Sequence, residues 1–302
     1  MTGEAPLVSV LMTTYNAEAY VAESVESVLA QTYGSLELVA VDDASTDATA
    51  EIVEAYARRH PDRVRLLQAS ERRGPTRRRN DALAAARGPL LAWLDHDDLW
   101  LSTKVERQVA VLDQHADVGL VYSGYEAFDS ETGATVEWRD ESSEAEGDVL
   151  AALFVEGCFI ASLTTLFRRE ALERRNVGFR ERDFSFGDDY FLWLVIALDW
   201  KVVRVDAVLA RYRRHAANES ARIGAENYHL KRIEILDEFL ARFPEARGRL
   251  GPSRRAGLRN HYLKAAGFEL ERGRRLAGAR LLMRGLAYDP VGRLRVSGGR
   301  QA

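Results

Sequence analysis

Apolar and polar positions follow two alternating periods over the first hundred residues. Val8 to Met12 is an apolar, β-branched run between Pro6 and the turn-like Thr13-Thr14-Tyr15-Asn16, which predicts a buried strand. Ala17 to Gln31 then carries Val21, Val25 and Val28 at helical spacing. Leu36 to Val41 reads as the second strand, ending at Asp42-Asp43, and Asp47 stands where the N-cap of a helix from Ala48 to Arg59 belongs. Val64 to Gln68 is a third strand. Pro75 opens a helix to about Arg87, and Pro89 to Leu94 is a fourth strand that closes on Asp95-His96-Asp97-Asp98. Strands alternating with helices of about a dozen residues predict a doubly wound, mostly parallel α/β sheet of Rossmann type. In such a sheet ligands bind beyond the carboxyl ends of the strands, where the polar clusters of this chain fall.

The pattern then loosens. Gly119 to Trp138 reads as hairpin material, and Asp140 to Asp148 as an acidic, Ser-rich loop. From Glu226 onward the chain reads as helix: Leu230, Ile233, Leu236, Leu240 and Phe243 recur in steps of three and four before Pro244. Two more helices, about 255–272 and 274–287, meet at Gly273 and resemble one unit of a helical repeat. A boundary is therefore expected near residue 222.

Charge sharpens that division. The net charge is −4, yet residues 222–302 hold 18 Lys and Arg against 8 Asp and Glu, so the preceding 221 residues carry −14. An acidic body is a poor partner for nucleic acid, whereas the basic helical tail suits an anionic membrane surface or a lipid-linked substrate. Cys158 is the one cysteine, which excludes an internal disulfide and reads as a small buried hydrophobe in a reducing compartment. Met1 to Pro6 has neither a basic region nor an apolar core, and the longest apolar run, Tyr190 to Leu198, is far shorter than the ~20 residues of a membrane span. The expected location is cytoplasmic, with peripheral membrane contact through the tail.

Candidate chemistry sits at the strand ends. Asp95 and Asp97, two apart in a turn after a buried strand, can address one hard cation such as Mg²⁺ or Mn²⁺. Three acids there repel one another unless a cation or a base lies among them. His96 is expected to turn away from its acidic neighbours. A carboxylate of Asp42-Asp43 can accept hydrogen bonds from a nucleoside base or ribose, beside Thr13, Thr14 and Tyr15 of the adjoining strand. Of Arg77, Arg78 and Arg79, successive residues turn by about 100°, which puts Arg79 with Leu83 and Ala86 on the sheet side and leaves Arg77 and Arg78 solvated. Arg79 is then the candidate for a phosphate or for pairing with Asp43. Asp188-Asp189 opens an apolar helix; Asp188 suits its cap and Asp189 a base aimed into the cleft. The basic Arg211-Tyr212-Arg213-Arg214-His215 can close over a diphosphate.

Taken together, these segments resemble glycosyltransferase family 2, whose members are inverting enzymes of the GT-A fold. Val8 to Asn16 resembles its first strand and loop, and Val41-Asp42-Asp43-Ala44-Ser45-Thr46-Asp47 its nucleotide-binding turn, with Ala44 where glycine is usual. Arg79-Asn80 falls where the family carries Arg-Asn. Ala92 to Trp100 resembles its metal-binding DxD segment, and Asp188 to Trp193 its Glu-Asp segment, with Asp188 replacing Glu. Tyr212-Arg213-Arg214-His215 resembles a later motif near the diphosphate.

The resemblance implies a GT-A domain over 1–222, with a nucleotide-sugar half over about 1–115 and an acceptor half over about 116–222, followed by a helical extension over 223–302. It implies that Asp43 binds the base or ribose with Thr13 and Tyr15. Asp95 would contact ribose or metal, Asp97 would ligate Mn²⁺ or Mg²⁺, and Asp189 would be the general base. The metal and Arg79 or His215 would neutralise the departing diphosphate. The implied reaction moves a sugar from a nucleoside-diphosphate donor, UDP-sugar favoured, to a hydroxyl of a glycan or lipid-linked saccharide. Two rivals stand beside it. A nucleotidyltransferase would need a glycine-rich basic loop after the first strand, which Thr13 to Asn16 lacks; a binding module without catalysis would have little use for Asp95, Asp97 and Asp189.

Overall fold

A computed structural model of the chain describes residues 5–137, 145–179, 187–216, 218 and 228–288. The chain divides into two compact units: residues 1–153 with 157–222, and residues 154–156 with 223–302. The first unit is built on strands β1 (Val8–Thr14), β2 (Leu36–Asp42), β3 (Val64–Gln68), β4 (Leu90–Trp93), β5 (Leu99–Trp100), β6 (Val118–Asp129), β7 (Thr135–Glu137), β8 (Leu166–Arg168) and β9 (Lys201–Arg214). Its helices are α1 (Val21–Leu29), α2 (Thr49–Arg59), α3 (Pro75–Ala85), α4 (Lys104–Gln114), the start of α5 (Leu150–Glu156, of which residues 154–156 fall in the second unit), α6 (Glu170–Glu173) and α7 (Asp188–Asp199).

The sheet runs β3-β2-β1-β4-β8-β6-β9-β5, with β7 on β6. β1 to β4 are parallel to one another, β6 pairs parallel with β9, and β8, β5 and β7 run antiparallel to their neighbours. Every residue of β1 and β2 is buried, because helices cover both faces of a parallel sheet and the strands read as continuous runs rather than alternations. The first two strands are neighbours as expected, with Val8 opposite Leu36 and Thr14 opposite Asp42. Chain direction across the sheet reverses between β1 and β4: the chain first winds outward through β2 and β3, then returns. That switch point is where an open α/β sheet leaves a crevice.

A buried polar cluster pins the opposite end of these strands. Glu37, fully buried inside β2, accepts from Ser9 Oγ at 2.6 Å and from the backbone N–H and Nε of Arg87, both at 2.8 Å. Burial pushes its carboxyl up, but these donors and the Arg87 charge hold it below the ordinary value. Gly88 follows because a Cβ there would lie 2.3 Å from Leu7 O. The expected hairpin is present as β6 and β7, turning at Gly133, but the long partner of β6 is β9, matched in parallel from Val118 to Asp129. The acidic Asp140–Asp148 loop lies largely outside the described residues.

The second unit contains α8 (Tyr228–Arg242), α9 (Ala246–Leu250), α10 (Pro252–Glu271) and α11 (Arg275–Tyr288), with Gly273 at a φ of +73° between the last two. Its core joins Ile233, Tyr262, Ala265, Ala266 and Leu281, with Leu230 packed against them. Among the described residues no helix is long and apolar enough to cross a membrane.

Candidate active site

The polar residues that end β1, β2 and β4 gather beyond one edge of the sheet, and they divide into structural and presenting groups. Asp42 belongs to the first: its carboxylate accepts from Thr14 Oγ1 at 2.9 Å and from Ser45 N at 2.9 Å, closing the turn after β2. Within that turn Ala44 takes a φ of +59°, a conformation that costs an alanine but not a glycine. Asp43, 3 % exposed, accepts from the N–H groups of Arg73 and Gly74, both at 2.8 Å, and from Arg78 Nε at 2.7 Å. A carboxylate has about four lone-pair sites, so one direction remains for a ligand.

This corrects two expectations. Arg78, assigned to solvent, is buried and bonds Asp43, Asp81 at 2.7 Å and Glu71 O at 2.6 Å. Arg79, offered as the partner of Asp43, points elsewhere. The cause is the helical turn: the step from Arg78 to Arg79 swings the side chain from the loop that carries Asp43 to the strand end that carries Asp95. Arg77 is exposed, as expected. Beside this group Thr13 is buried, and the guanidinium of Arg72 lies 4.0 Å from the Tyr15 ring centroid.

The acids after β4 are separated by their bases. Asp95 accepts from Trp93 Nε1 at 2.8 Å and lies 3.5 Å from Arg79 Nη2. Arg79 stacks over the Trp93 ring at 4.5 Å and reaches Asp188 Oδ2 at 3.7 Å. His96 turns away, as expected, and donates from Nδ1 to Thr13 O at 3.0 Å. Asp97 lies 2.9 Å from His215 Nε2 and 3.4 Å from Asn218 Nδ2. Burial pushes the Asp97 carboxyl up, but the His215 hydrogen bond and the nearby imidazoles hold it below its ordinary value. Asp98, 1 % exposed, goes the other way: burial and its neighbours Asp97 and Asp95 raise it well above the carboxylate range, despite the Arg213 N–H that it accepts at 2.9 Å. The repulsion foreseen among these acids is thus relieved by Arg79, His215 and Arg213.

Besides its place two residues after Asp95 in the turn, Asp97 is brought together with His215. Among the described residues, no three His, Cys, Asp or Glu side chains are arranged to hold a cation. His215 is fixed by stacking on Tyr20 at 4.6 Å and by a hydrogen bond from its own N–H to Asn218 Oδ1 at 2.6 Å.

Asp188 and Asp189 start α7 and face apart. Asp188 is 1 % exposed and accepts from Thr76 Oγ1, tying α7 to α3. Asp189 lines a cleft of about 1220 Å³, together with Asp95, His215 and Asn218. Burial raises its carboxyl above the ordinary value, against the lowering pull of Arg79 and of the Tyr190 N–H at 2.7 Å. The same cleft is lined by Tyr20, Tyr125, Tyr212 and the segment Ala161-Ser162-Leu163.

That segment has a support the sequence reading did not find. Trp100 Nε1 donates to Leu163 O at 2.8 Å, Gln108 Nε2 to Thr164 O at 2.7 Å, and Lys104 Nζ to Thr165 O at 3.0 Å. Three successive carbonyls are each met by a buried donor. The signal in the sequence is the spacing Trp100, Lys104, Gln108, which puts all three on one side of α4 and its approach. Arg78, Arg213 and Asn218 were likewise missed as organisers of the site.

Known proteins resemble this chain in sequence and in fold. The family described as Glycosyl transferase family 2 matches residues 9–175. The β-1,3-glucosyltransferase WfgD of Escherichia coli, named for UDP-Glc and α-D-GlcNAc-diphosphoundecaprenol, is 30 % identical over 211 residues, covering 68 % of this chain and 77 % of that one. EpsE of Bacillus subtilis is 41 % identical over 124 residues, 41 % of this chain and 45 % of its own, so the matched part spans under half of that relative. Among solved structures, S. aureus TarS 1-349 with UDP-GlcNAc superposes with a TM-score of 0.61 at 19 % identity, covering 92 % of this chain and 89 % of that one. The mannosyltransferase PcManGT of Pyrobaculum calidifontis, with GDP-Man and Mn²⁺, gives 0.58 at 24 % identity, covering 94 % and 81 %. At these identities the structural likeness establishes the shared fold.

Proposed function

The chain belongs to glycosyl transferase family 2, and from that premise we propose that it moves a sugar from a nucleoside-diphosphate sugar, a UDP-sugar first, onto a hydroxyl of a glycan or lipid-linked saccharide, with inversion. The observation that carries this reading is Asp189: a carboxylate on the cleft wall whose proton affinity burial has raised, close to the cationic Arg79. A base is more effective as its pKa approaches the working pH, and an attacking hydroxyl becomes acidic as its oxygen bonds to carbon. One base opposite one leaving group needs no covalent intermediate, so inversion follows.

Residues 1–115 supply the donor half. Thr13, Tyr15 and the remaining lone pair of Asp43 receive the nucleoside, and Asp95 the ribose. Arg79 and His215 face the diphosphate, whose charge grows as it departs. Residues 116–222 supply the acceptor half, with Tyr125 and Tyr212 lining the same cleft as Asp189. A divalent cation fits Asp97 and Asp95 of the turn after β4, with His215 beside them: the Asp97 carboxylate lies 2.9 Å from the His215 nitrogen, Asp95 and His215 line the cleft, and substrate phosphates commonly complete the coordination of Mg²⁺ or Mn²⁺. Bound there, the cation would supply charge neutralisation to the leaving group. The substrates named for WfgD support both the UDP donor and the lipid-linked acceptor. The cytoplasm, where nucleotide sugars are made, is the compartment this reading assigns.

The test is thermal stability with UDP-, GDP- and dTDP-sugars, with and without Mn²⁺, for wild type and Asp97→Ala. A ligand bound only by the folded state raises the melting temperature. A metal-dependent rise with UDP-sugars, lost in the variant, is expected. A rise with GDP-sugars alone reassigns the donor, and no rise with any nucleotide overturns the donor site.

A further inference from the structure

We propose that the outward face of α11 is a binding surface for an anionic lipid bilayer, a role separate from the transfer reaction and independent of that assignment. The inner face of α11 is defined by its packing on α10. Gly278, Leu281 and Gly285 are buried there, and a Cβ on Gly278 would lie 2.5 Å from Leu270 Cγ. The opposite face then falls at Leu276, Ala279, Met283 and Leu286, in helical steps of three and four. Solvent-facing positions of a helix are ordinarily polar, yet Leu276 is 78 % exposed, Met283 68 % and Leu286 38 %, with Leu282 at 38 % on the shoulder.

Arginines border this stripe. Residues 272–288 contain five arginines and no acid. Arg272 lies over the Phe268 ring at 4.4 Å and Arg274 bonds Glu269 at 3.3 Å, but Arg275, Arg280 and Arg284 form no ion pair among the described residues. An apolar stripe with cations on its flanks is the composition of a helix that lies in the plane of an anionic membrane. With 14 residues α11 is about 21 Å long, too short to span a bilayer. The same charges select against a second copy as the occupant, because two such faces docked together would bring arginine against arginine with no acid to relieve them.

The experiment is co-sedimentation of the full chain with phosphatidylcholine vesicles, with and without phosphatidylglycerol, at low and high salt. The wild type should partition onto the phosphatidylglycerol vesicles and be released by salt. Arg280→Glu/Arg284→Glu should lower partitioning by more than about fivefold per arginine, the equivalent of about 1 kcal/mol for each cation removed. Leu276→Ser/Met283→Ser should lower it about tenfold or more through the lost apolar burial. Both variants alter exposed positions, and an unchanged melting temperature would show that they fold. No partitioning of the wild type, or partitioning of both variants equal to that of the wild type, overturns the proposal. So does a concentration-dependent dimer that the serine variant abolishes, since that outcome assigns the face to a second copy.

Discussion

Arg78→Met is the substitution that most directly tests how the nucleotide-side pocket is held. Arg78 and Asp43 have side chains 8 % and 4 % exposed and meet at 2.7 Å, so removing the guanidinium strands a carboxylate away from water. Breaking one half of a buried pair costs about 3–5 kcal/mol. Here Asp43 keeps the N–H groups of Arg73 and Gly74. Asp81, at 42 % exposure, returns to water with little loss, which leaves Glu71 O as the other group deprived of its donor. Those offsets set the cost near the lower end, about 3 kcal/mol, or a melting temperature lower by about 6–12 °C for a unit of this size. Arg79→Met is the contrast: its partners lie at 3.5 and 3.7 Å, so it should cost about 1 kcal/mol of stability and a far larger share of turnover. Adding Asp43→Asn to Arg78→Met should recover part of the lost stability, because the stranded charge is gone, and the double-mutant cycle reads that coupling. A melting temperature for Arg78→Met within a degree of wild type, or Arg79→Met as the more destabilised of the two, would refute the assignment of Asp43 to Arg78.

Four further outcomes are expected. Asp189→Asn should lower kcat by about 10²–10⁴-fold while leaving the nucleotide-sugar shift in melting temperature intact. Because burial raises Asp189 and only its ionised form accepts a proton, wild-type kcat/KM should fall with decreasing pH at a value above the ordinary 3.8 of an aspartate; an acid limb at or below that value counts against the role. Burial holds Lys104 well below its ordinary 10.5, so the unfolded chain binds the extra proton and stability should climb with pH up to about that value; Lys104→Met should lack this slope, and an identical slope in both proteins would show that the amine is not desolvated. Ala44→Gly should raise the melting temperature by about 2–4 °C, since it relieves about 1 kcal/mol at a φ of +59°; a fall would show that the turn does not strain alanine.

The parallel half of the sheet was legible because burial on both faces leaves an unmistakable trace: Val8–Met12 and Leu36–Val41 are apolar runs closed by polar turns, and each became a strand with every residue buried. The pairing of β6 with β9 left no such trace. Parallel strands some 80 residues apart share no turn, so nothing local in Gly119–Trp138 points to Lys201–Arg214. Buried polar groups were legible by position and not by partner. Asp43 was singled out because it ends a strand, but which of three consecutive arginines reaches it depends on where α3 starts relative to β2, a matter of a fraction of a helical turn. Lys104 and Gln108 are polar residues of a helix with nothing local to mark them as buried; their partners, the carbonyls of Thr165 and Thr164, lie some 60 residues away in the chain.

Asp188 and Asp189 carry the same argument to the centre of the site. Two adjacent aspartates at a helix start are chemically identical in the sequence, and the 100° between them assigns their work. Asp188 turns into the protein, where Thr76 and Arg79 receive it, and so fixes α7 against α3. Asp189 is left facing the cleft, its proton affinity raised by burial and restrained by Arg79. Arg79 also faces Asp95 and lies on Trp93, so one guanidinium spans the acidic turn after β4 and the start of α7. In the proposed reaction that position matters more than any single contact. A cation fixed between donor-side and acceptor-side carboxylates offsets part of the rise that burial imposes on Asp189, without a direct ion pair that would occupy the base when the acceptor hydroxyl arrives.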